Sequence, residues 1–260
     1  GYRDSRTDGA MESFFEKIPR KRVYELTGIQ FLQFNSLFQL EVMVRDKSPL
    51  LDGAIDLLFI PDLLHYLLTG IKKTEFTFAT TSQLYNPVKK DWEEELLSAL
   101  GLSRTLMQEV VQPGAPIGMV SSEVATQTAS APVPVVAVAT HDTGSAVAAV
   151  PAGGKDWAYI SSGTWSLMGI EVENPIITEQ SLRLNFTNEG GVGDIFRFLK
   201  NITGLWLLEE CRRNWSDRRD RDYDDLLAAA GVASPFVSFI DPDWSGFLIP
   251  PDMPAEIRRF

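Results

Sequence analysis

Asp142 is the residue of this sequence best placed to act as a base. Residues 133–139 (VPVVAVA) form a short apolar run rich in β-branched residues, which predicts a central strand buried on both faces. Asp142 follows this run closely, so we expect it at the carboxyl edge of a sheet, where open α/β sheets bind their ligands. A carboxylate held there beside His141 could accept a proton from a substrate hydroxyl, as in phosphoryl transfer. The alternative is that His141 and Asp142 only cap a helix that begins near Thr143, since Asp is a favoured N-cap residue.

Two other kinds of His–Asp chemistry fit the sequence poorly. A metal-dependent phosphohydrolase would need several more His ligands, and the sequence has one other histidine, His65, in a helix with a leucine-rich face. A Ser–His–Asp triad needs side chains that orient one another, whereas those of adjacent residues diverge, and no Gly-x-Ser-x-Gly elbow occurs. We therefore assign no metal ligands and no triad.

Residues 161–164 (SSGT) form a candidate phosphate loop. They lie between two predicted strands, residues 157–161 and 165–172, which we expect to form a hairpin. Small side chains and a glycine let backbone amides approach phosphate oxygens closely. The same composition is common in ordinary hairpin turns, and the chain has no Walker A motif. Residues 188–191 (NEGG) are most simply another turn.

Helical periodicity dominates the first part of the chain. It predicts helices over residues 11–18, 23–26, 35–45, 61–68, 91–97 and 102–111, with glycines at several of their ends. A long core-facing helix is predicted over residues 196–215, with Arg212 and Arg213 near its C-terminus, where cations suit the helix dipole. The turn-rich residues 151–156 (PAGGKD) indicate a domain boundary, which gives domains of residues 1–152 and 153–260.

The composition excludes several classes of protein. Of the 260 residues 44% are hydrophobic and 23% charged, as in a globular protein with a full core. A net charge of −11 argues against a nucleic-acid partner, and no apolar run approaches the roughly 20 residues that span a membrane. The single cysteine, Cys211, fits a reducing, cytoplasmic location. Because neither end shows an initiator Met, a signal peptide or a closing element, we expect both to be internal to a longer protein.

Several segments of residues 1–210 resemble, in wording and in order along the chain, those of the FGGY carbohydrate kinases, and among these most nearly the rhamnulokinases. The resemblance thins beyond residue 210. It rests on YRDSRT (2–7), GIQFL (28–32), PD with LTG (61–70), ATTSQL (79–84), PVVAVA (134–139), HDT (141–143), SSGTWSLMG (161–169), TNEGG (187–191), and LKNI with GLWLL (199–208).

The resemblance implies an α/β enzyme of two domains that close over a cleft, each with the ribonuclease-H-like fold of the actin-like ATPase superfamily. It also implies ATP-dependent phosphorylation of a small ketose, L-rhamnulose, at its 1-hydroxyl, with ATP and Mg²⁺ as cofactors. In this family the Asp of the His-Asp-Thr segment is the catalytic base, which maps onto Asp142, and its neighbours His141 and Thr143 contact the sugar.

The family's nucleotide site maps onto Thr164, onto Asn201, which is expected to open a helix, and onto Glu209, where the family has Gln. Phe31 and Phe34 could line the apolar side of a 6-deoxy sugar pocket, although aromatic residues at that spacing more often belong to a core.

Two family segments have no counterpart in the sequence. These are the initial strand with an Asp-x-Gly phosphate loop and a later Gly-rich adenosine-binding segment. We therefore expect the chain by itself to have no useful kinase turnover. Two alternatives stay open: a related kinase for xylulose, fuculose or glycerol, and a non-catalytic sugar- or nucleotide-binding module that kept the fold.

Overall fold

The computed structural model describes residues 5–154, 156–215, 222–248 and 250–260. They group into two compact units. The first holds the described residues up to Tyr159 together with Gly169–Lys200. The second holds Ile160–Met168 and the described residues from Asn201 onwards. The predicted boundary between residues 152 and 153 stays a prediction.

Short helices make up most of the first unit. Three of them end at Gly28, Gly70 and Gly101, whose φ angles of 65°, 75° and 71° are left-handed, and the sequence predicts a helix before each of these glycines. The predicted helices over residues 11–18, 23–26, 35–45 and 61–68 are confirmed with slightly different bounds. The helices are α1 (Ala10–Lys17), α2 (Arg20–Thr27), α3 (Ser36–Arg45), α4 (Ile60–Thr69), α5 (Phe76–Thr81), α6 (Glu94–Leu100), α7 (Ser122–Gln127), α8 (Asp142–Ala148) and α9 (Glu179–Arg183).

One apolar core lies among α1, α2, α3, α5 and α6. Phe14 of α1 and Phe38 of α3 meet edge to face with ring centroids 6.3 Å apart, and both are fully buried. Leu96, Leu97 and Leu100 of α6 are buried in the same cluster. Each such side chain contributes about 1.5–3 kcal/mol through its removal from water, so the core provides the rigid base on which the loops of this unit rest.

Short strands connect these helices. β1 (Thr74–Glu75) pairs in parallel with β4 (Val110–Val111), and β2 (Tyr85–Asn86) pairs antiparallel with β3 (Asp91–Trp92). β5 (Pro116–Met119) pairs antiparallel with β6 (Pro134–Val136). A four-stranded sheet has the order β7-β8-β10-β9, with β7 (Tyr159–Ser162), β8 (Trp165–Val172), β9 (Thr187–Gly190) and β10 (Phe196–Thr203). The predicted pairing of the strands around residues 161–164 is confirmed, since β7 and β8 are neighbours.

The prediction of a strand buried on both faces over residues 133–139 is wrong. β6 has three residues, and Val136 and Val138 are exposed, whereas Ala137 and Ala139 are buried. Alternate residues therefore face the core and solvent, as in a strand covered on one side. The apolar run looked doubly buried because its outward-facing positions also carry valine.

Two predicted helices are wrong because strand pairing overrides local periodicity. Residues 102–111 contain only a 3₁₀ turn, Arg104–Leu106, before β4, which pairs with β1. The first half of the predicted helix over residues 196–215 is β10, which pairs antiparallel with β9 so that Phe196 lies opposite Gly190. The predicted turn over residues 188–191 is accordingly wrong as well, because residues 188–190 belong to β9. The predicted helix over residues 91–97 is right only from Glu94, where α6 begins.

The second unit contains the remaining helices, α10 (Trp206–Asn214), α11 (Tyr223–Val232) and α12 (Met253–Arg259), and a 3₁₀ turn at Ser245–Phe247. Cys211 of α10, Phe247 and Met253 form a small buried cluster. No helix in the described ranges is long and apolar enough to cross a bilayer.

Candidate active site

Asp142 presents an open carboxylate at the start of α8. Its side chain is 97% exposed. Oδ1 accepts a hydrogen bond from the Thr143 amide at 2.6 Å and lies 3.3 Å from the Thr143 hydroxyl, which donates to it. Oδ2 makes no hydrogen bond within the described residues. α8 begins at Asp142, so His141 occupies the N-cap position that the alternative gave it, without a side-chain hydrogen bond to the helix, and Asp142 lies in the first turn. The carboxylate keeps one oxygen available to accept a proton.

The imidazole of His141 is mostly buried and points towards charged groups. Its Nδ1 lies 3.4 Å from Arg197 Nη2, and its Nε2 lies 4.0 Å from Glu189 Oε2. A guanidinium can only donate, so Nδ1 must be the acceptor and the neutral ring carries its proton on Nε2, facing Glu189. Burial lowers the pKa of His141, and Arg197 lowers it further, while Glu189 opposes the change. The ring is therefore held neutral and in one tautomer.

Arg197 and Glu189 form a buried ion pair across the sheet. They are direct partners in the pairing of β9 with β10, and Arg197 Nη2 lies 3.1 Å from Glu189 Oε2. Arg197 is fully buried, and its Nε donates to the Gly190 carbonyl at 3.0 Å. Removing one member of such a pair leaves an uncompensated charge, which costs about 3–5 kcal/mol. The pair thus provides a rigid support for the His141 ring.

Tyr159 completes this buried cluster. Burial raises the pKa of its hydroxyl, and the nearby Arg197 guanidinium opposes the rise. The Tyr159 hydroxyl and Arg197 Nη1 are nevertheless not in hydrogen-bonding geometry, and within the described ranges neither atom has a partner. A Cβ on residue 169 would lie 2.8 Å from the Tyr159 hydroxyl, so the observed position of the Tyr159 ring requires a glycine at residue 169.

The predicted nucleotide residues lie in the second unit, around the turn that contains Thr164. The Thr164 carbonyl accepts hydrogen bonds from the amides of Gly204 and Trp206, each at 3.2 Å. A Cβ on Gly204 would lie 2.7 Å from the Gly163 carbonyl oxygen, so only glycine allows this close approach. The start of α10 is thereby fixed to the turn, and the Thr164 side chain is exposed.

Asn201 and Glu209 are the other two predicted nucleotide contacts. Asn201 lies in β10 and does not open a helix, since α10 begins at Trp206; that expectation is wrong. Glu209 lies in α10, where its Oε1 is 3.3 Å from Arg212 Nη1. This cation partly offsets the negative charge that Glu209 brings in place of the family's glutamine.

Models of the FGGY carbohydrate kinases match the chain almost throughout. The model of their N-terminal domain matches residues 2–149, and that of their C-terminal domain matches residues 158–260. The chain belongs to the FGGY family of carbohydrate kinases. The resemblance found in the sequence is thereby confirmed.

Individual relatives of this FGGY chain agree with the family models. The chain is 50% identical over 259 residues to a rhamnulokinase of Bacteroides thetaiotaomicron, covering 100% of the chain and 53% of the relative. It is 46% identical over 259 residues to a rhamnulokinase of Pectobacterium atrosepticum, covering 100% of the chain and 51% of the relative. The chain thus spans about half the length of the curated relatives it matches.

Solved structures confirm the predicted fold class. The gluconate kinase of Lactobacillus acidophilus matches with a TM-score of 0.76 at 17% identity, covering 89% of this chain and 46% of that one. The ligand-bound xylulose kinase of the same organism also matches with a TM-score of 0.76, at 18% identity over the same shares of the two chains. The likeness at these identities concerns the fold, which is that of FGGY sugar kinases.

Several residues around Asp142 in this FGGY chain were not predicted from sequence. Glu189 and Arg197 were missed because a buried cross-strand pair depends on strand register, which the NEGG pattern concealed. Phe31 is confirmed as a core residue, since it is buried and meets Phe15 with ring centroids 5.3 Å apart. Among the described residues no group of three or more His, Cys, Asp and Glu side chains is placed to hold a metal ion.

Proposed function

We propose that the full-length protein carrying this chain phosphorylates L-rhamnulose at its 1-hydroxyl with ATP. The main support is the open carboxylate of Asp142, which has a free oxygen and stands at the start of α8, six residues after the end of β6. The choice of sugar is supported by the identity of 50% and 46% to two rhamnulokinases. The reaction would take place in the cytoplasm, where ATP is available.

In the proposed mechanism Asp142 acts as the general base. Oδ2 of Asp142 takes the proton of the 1-hydroxyl while the hydroxyl oxygen bonds to the γ-phosphorus of ATP. The bond between that phosphorus and the bridging oxygen breaks, and ADP leaves. His141 and Thr143 would hold the sugar beside the base. With its proton on Nε2, the His141 ring can donate to a sugar oxygen, whereas its Nδ1 lone pair already faces Arg197 Nη2 and is not open to the proton of the sugar.

The nucleotide would be bound by the second unit. The exposed hydroxyl of Thr164 fits a contact to phosphate, since it has no other hydrogen-bond partner among the described residues and stands on a turn rigidly joined to α10. Asn201 and Glu209 are the other proposed contacts. Magnesium would arrive with the nucleotide phosphates as part of the substrate, and the mechanism requires no step at a protein-bound metal.

Replacing Asp142 by Asn in the full-length protein tests this proposal. We expect kcat for L-rhamnulose to fall by roughly 10²–10⁴-fold, the usual contribution of a general base, with an unchanged circular dichroism spectrum and melting temperature. A variant within threefold of the wild-type kcat would refute the role of Asp142.

A panel of L-rhamnulose, xylulose, fuculose and glycerol with ATP tests the sugar. We expect the highest kcat/KM for L-rhamnulose. Preference for another member of the panel would keep the kinase and change the substrate. No phosphorylation of any member by the folded wild-type protein would favour the non-catalytic alternative.

A further inference from the structure

We propose that Glu75 and Thr77 are positioning residues that hold the backbone of Thr140 and His141 and thereby fix the carboxylate of Asp142. The inference deepens the proposed function and depends on it for its effect on catalysis. Its structural part, a buried clamp on the strand-end segment, can be tested without any activity.

The carboxylate of Glu75 is the centre of this clamp. Glu75 is 1% exposed and lies at the end of β1, where it is the N-cap of α5. Its Oε2 accepts hydrogen bonds from the amide and the hydroxyl of Thr140, at 3.0 and 2.7 Å. Its Oε1 accepts from the Thr77 amide at 2.8 Å. One buried side chain therefore joins the start of α5 to a segment 65 residues further along the chain.

The chemistry of these contacts demands a carboxylate. Every hydrogen bond that the described residues make with the Glu75 side chain is donated to it, by the amides of Thr77, Phe78 and Thr140 and by two threonine hydroxyls. An ionised carboxylate only accepts, and its hydrogen bonds are stronger than those of neutral groups. A glutamine amide would turn an NH₂ group against one of these donors.

Thr77 extends the clamp by one residue. The Thr77 side chain is buried, and its hydroxyl donates a hydrogen bond to Glu75 Oε2. The hydroxyl oxygen of Thr77 also accepts a hydrogen bond from the His141 amide at 3.1 Å. A Cβ added to Gly144 would lie 3.5 Å from Thr77 Cβ and Cγ2, so the first turn of α8 also packs on this threonine. Thr77 therefore contacts the chain on both sides of Asp142.

Asp142 needs such support because its own side chain is almost fully exposed. Its carboxylate is bonded only to the neighbouring Thr143 within the described residues, so its position is set by the backbone. Displacement of a catalytic group by about 1 Å can cost on the order of 100-fold in rate. Loosening the clamp should thus lower kcat without removing any group that touches the substrates.

The test compares four variants of the full-length protein, of which Glu75→Gln removes the carboxylate itself. Thr77→Val keeps the shape of the side chain but removes the acceptor for the His141 amide, and Thr77→Ser restores it. Thr81→Val is the matched control, because the Thr81 hydroxyl bonds only within α5, to the Phe78 carbonyl at 2.9 Å. Amide hydrogen exchange of peptides covering residues 139–143 and of α6, together with kcat and both KM values, is measured for each.

For Thr77→Val we expect at least tenfold faster exchange at the His141 amide with unchanged exchange in α6. We expect kcat to fall by roughly 10–100-fold, with the KM for ATP unchanged. Thr77→Ser should restore most of the exchange protection at His141 and most of kcat. Thr81→Val should change neither. Glu75→Gln should reproduce the exchange effect and extend it to Thr140. If Glu75→Gln fails to fold, the comparison of the Thr77 variants still tests the clamp.

Unchanged exchange at His141 in folded Thr77→Val would overturn the clamp, as would equal acceleration throughout α6. Faster local exchange with wild-type kcat in an active enzyme would refute the positioning role. If no ketose is phosphorylated by the wild type, the proposed function fails, whereas the exchange comparison still tests the clamp.

Discussion

Replacement of Asp62 by Asn should stabilise this protein at neutral pH. Asp62 lies in the first turn of α4 and is fully buried. Burial raises its pKa from 3.8 to about 6, although the amides of Glu75 and Phe59 and the Thr74 hydroxyl lower it. Only one of these contacts, the Glu75 amide to Oδ1 at 3.1 Å, has full hydrogen-bond geometry. Oδ2 is buried without a partner among the described residues. An asparagine keeps the accepting oxygen and carries no charge.

The magnitude follows from the pKa. The folded-state value of about 6 lies roughly two pH units above the ordinary 3.8, and each unit is worth about 1.4 kcal/mol. Because the folded-state pKa is the higher one, the folded protein retains the proton longer than the unfolded chain does. The contribution of Asp62 to stability is therefore fully present below about pH 4 and is lost as the pH rises through 6, by about 3 kcal/mol in total.

The assay is the thermal midpoint of wild type and Asp62→Asn between pH 4 and 8. The two proteins should melt together near pH 4, and the variant should melt roughly 6–12 °C higher at pH 7.5. Asp52→Asn, at an exposed position, controls for the loss of one negative charge. A constant difference between Asp62→Asn and wild type across this range, or a lower midpoint for the variant at pH 7.5, would refute the reasoning.

Two further predictions concern Arg197 and Gly204. Arg197→Met leaves Glu189 buried without its cation, so we expect unfolding in urea to require about 3–5 kcal/mol less. The NMR titration of His141 in this variant should move to higher pH, because Arg197 lowers the pKa of His141. A decrease in the free energy of unfolding of less than about 1 kcal/mol together with an unchanged titration would contradict this prediction. Gly204→Ala would place a Cβ 2.7 Å from the Gly163 carbonyl oxygen and displace the Thr164 turn. In the full-length protein we expect a several-fold higher KM for ATP with an unchanged KM for the ketose, and the opposite pattern would argue against the proposed nucleotide role of this turn.

Local signals in the sequence were sufficient for several helix ends and for the hairpin strands β7 and β8, but not for β9 and β10. Gly28, Gly70 and Gly101 could be recognised because a left-handed glycine is a residue-level requirement. The strand that begins at Phe196 could not, because its partner β9 determines it and its apolar residues also fit a helical period. Pairing with a distant segment is a tertiary effect that a window of neighbouring residues does not contain.

The candidate site shows the same division. Asp142 and its neighbours could be found because they follow an apolar run and share a motif with a known family. Glu75 and Arg197 could not, because a charged residue in a sequence is ordinarily expected at the surface. Their burial became visible only with the donors around Glu75 and the cross-strand partner of Arg197.

The surroundings of His141 and Asp142 favour the second of these adjacent residues as the proposed base. The Nδ1 lone pair of His141 faces the Arg197 guanidinium at 3.4 Å, and burial further lowers the pKa of the ring. A proton added to that ring would be buried beside this positive charge, which is unfavourable, although the Glu189 carboxylate offsets part of the cost. Asp142, one residue further on, faces solvent with an unoccupied Oδ2 and can take up a proton without such a conflict. Burial and Arg197 thus favour His141 as a hydrogen-bond donor, which agrees with the proposed role of Asp142 as the general base.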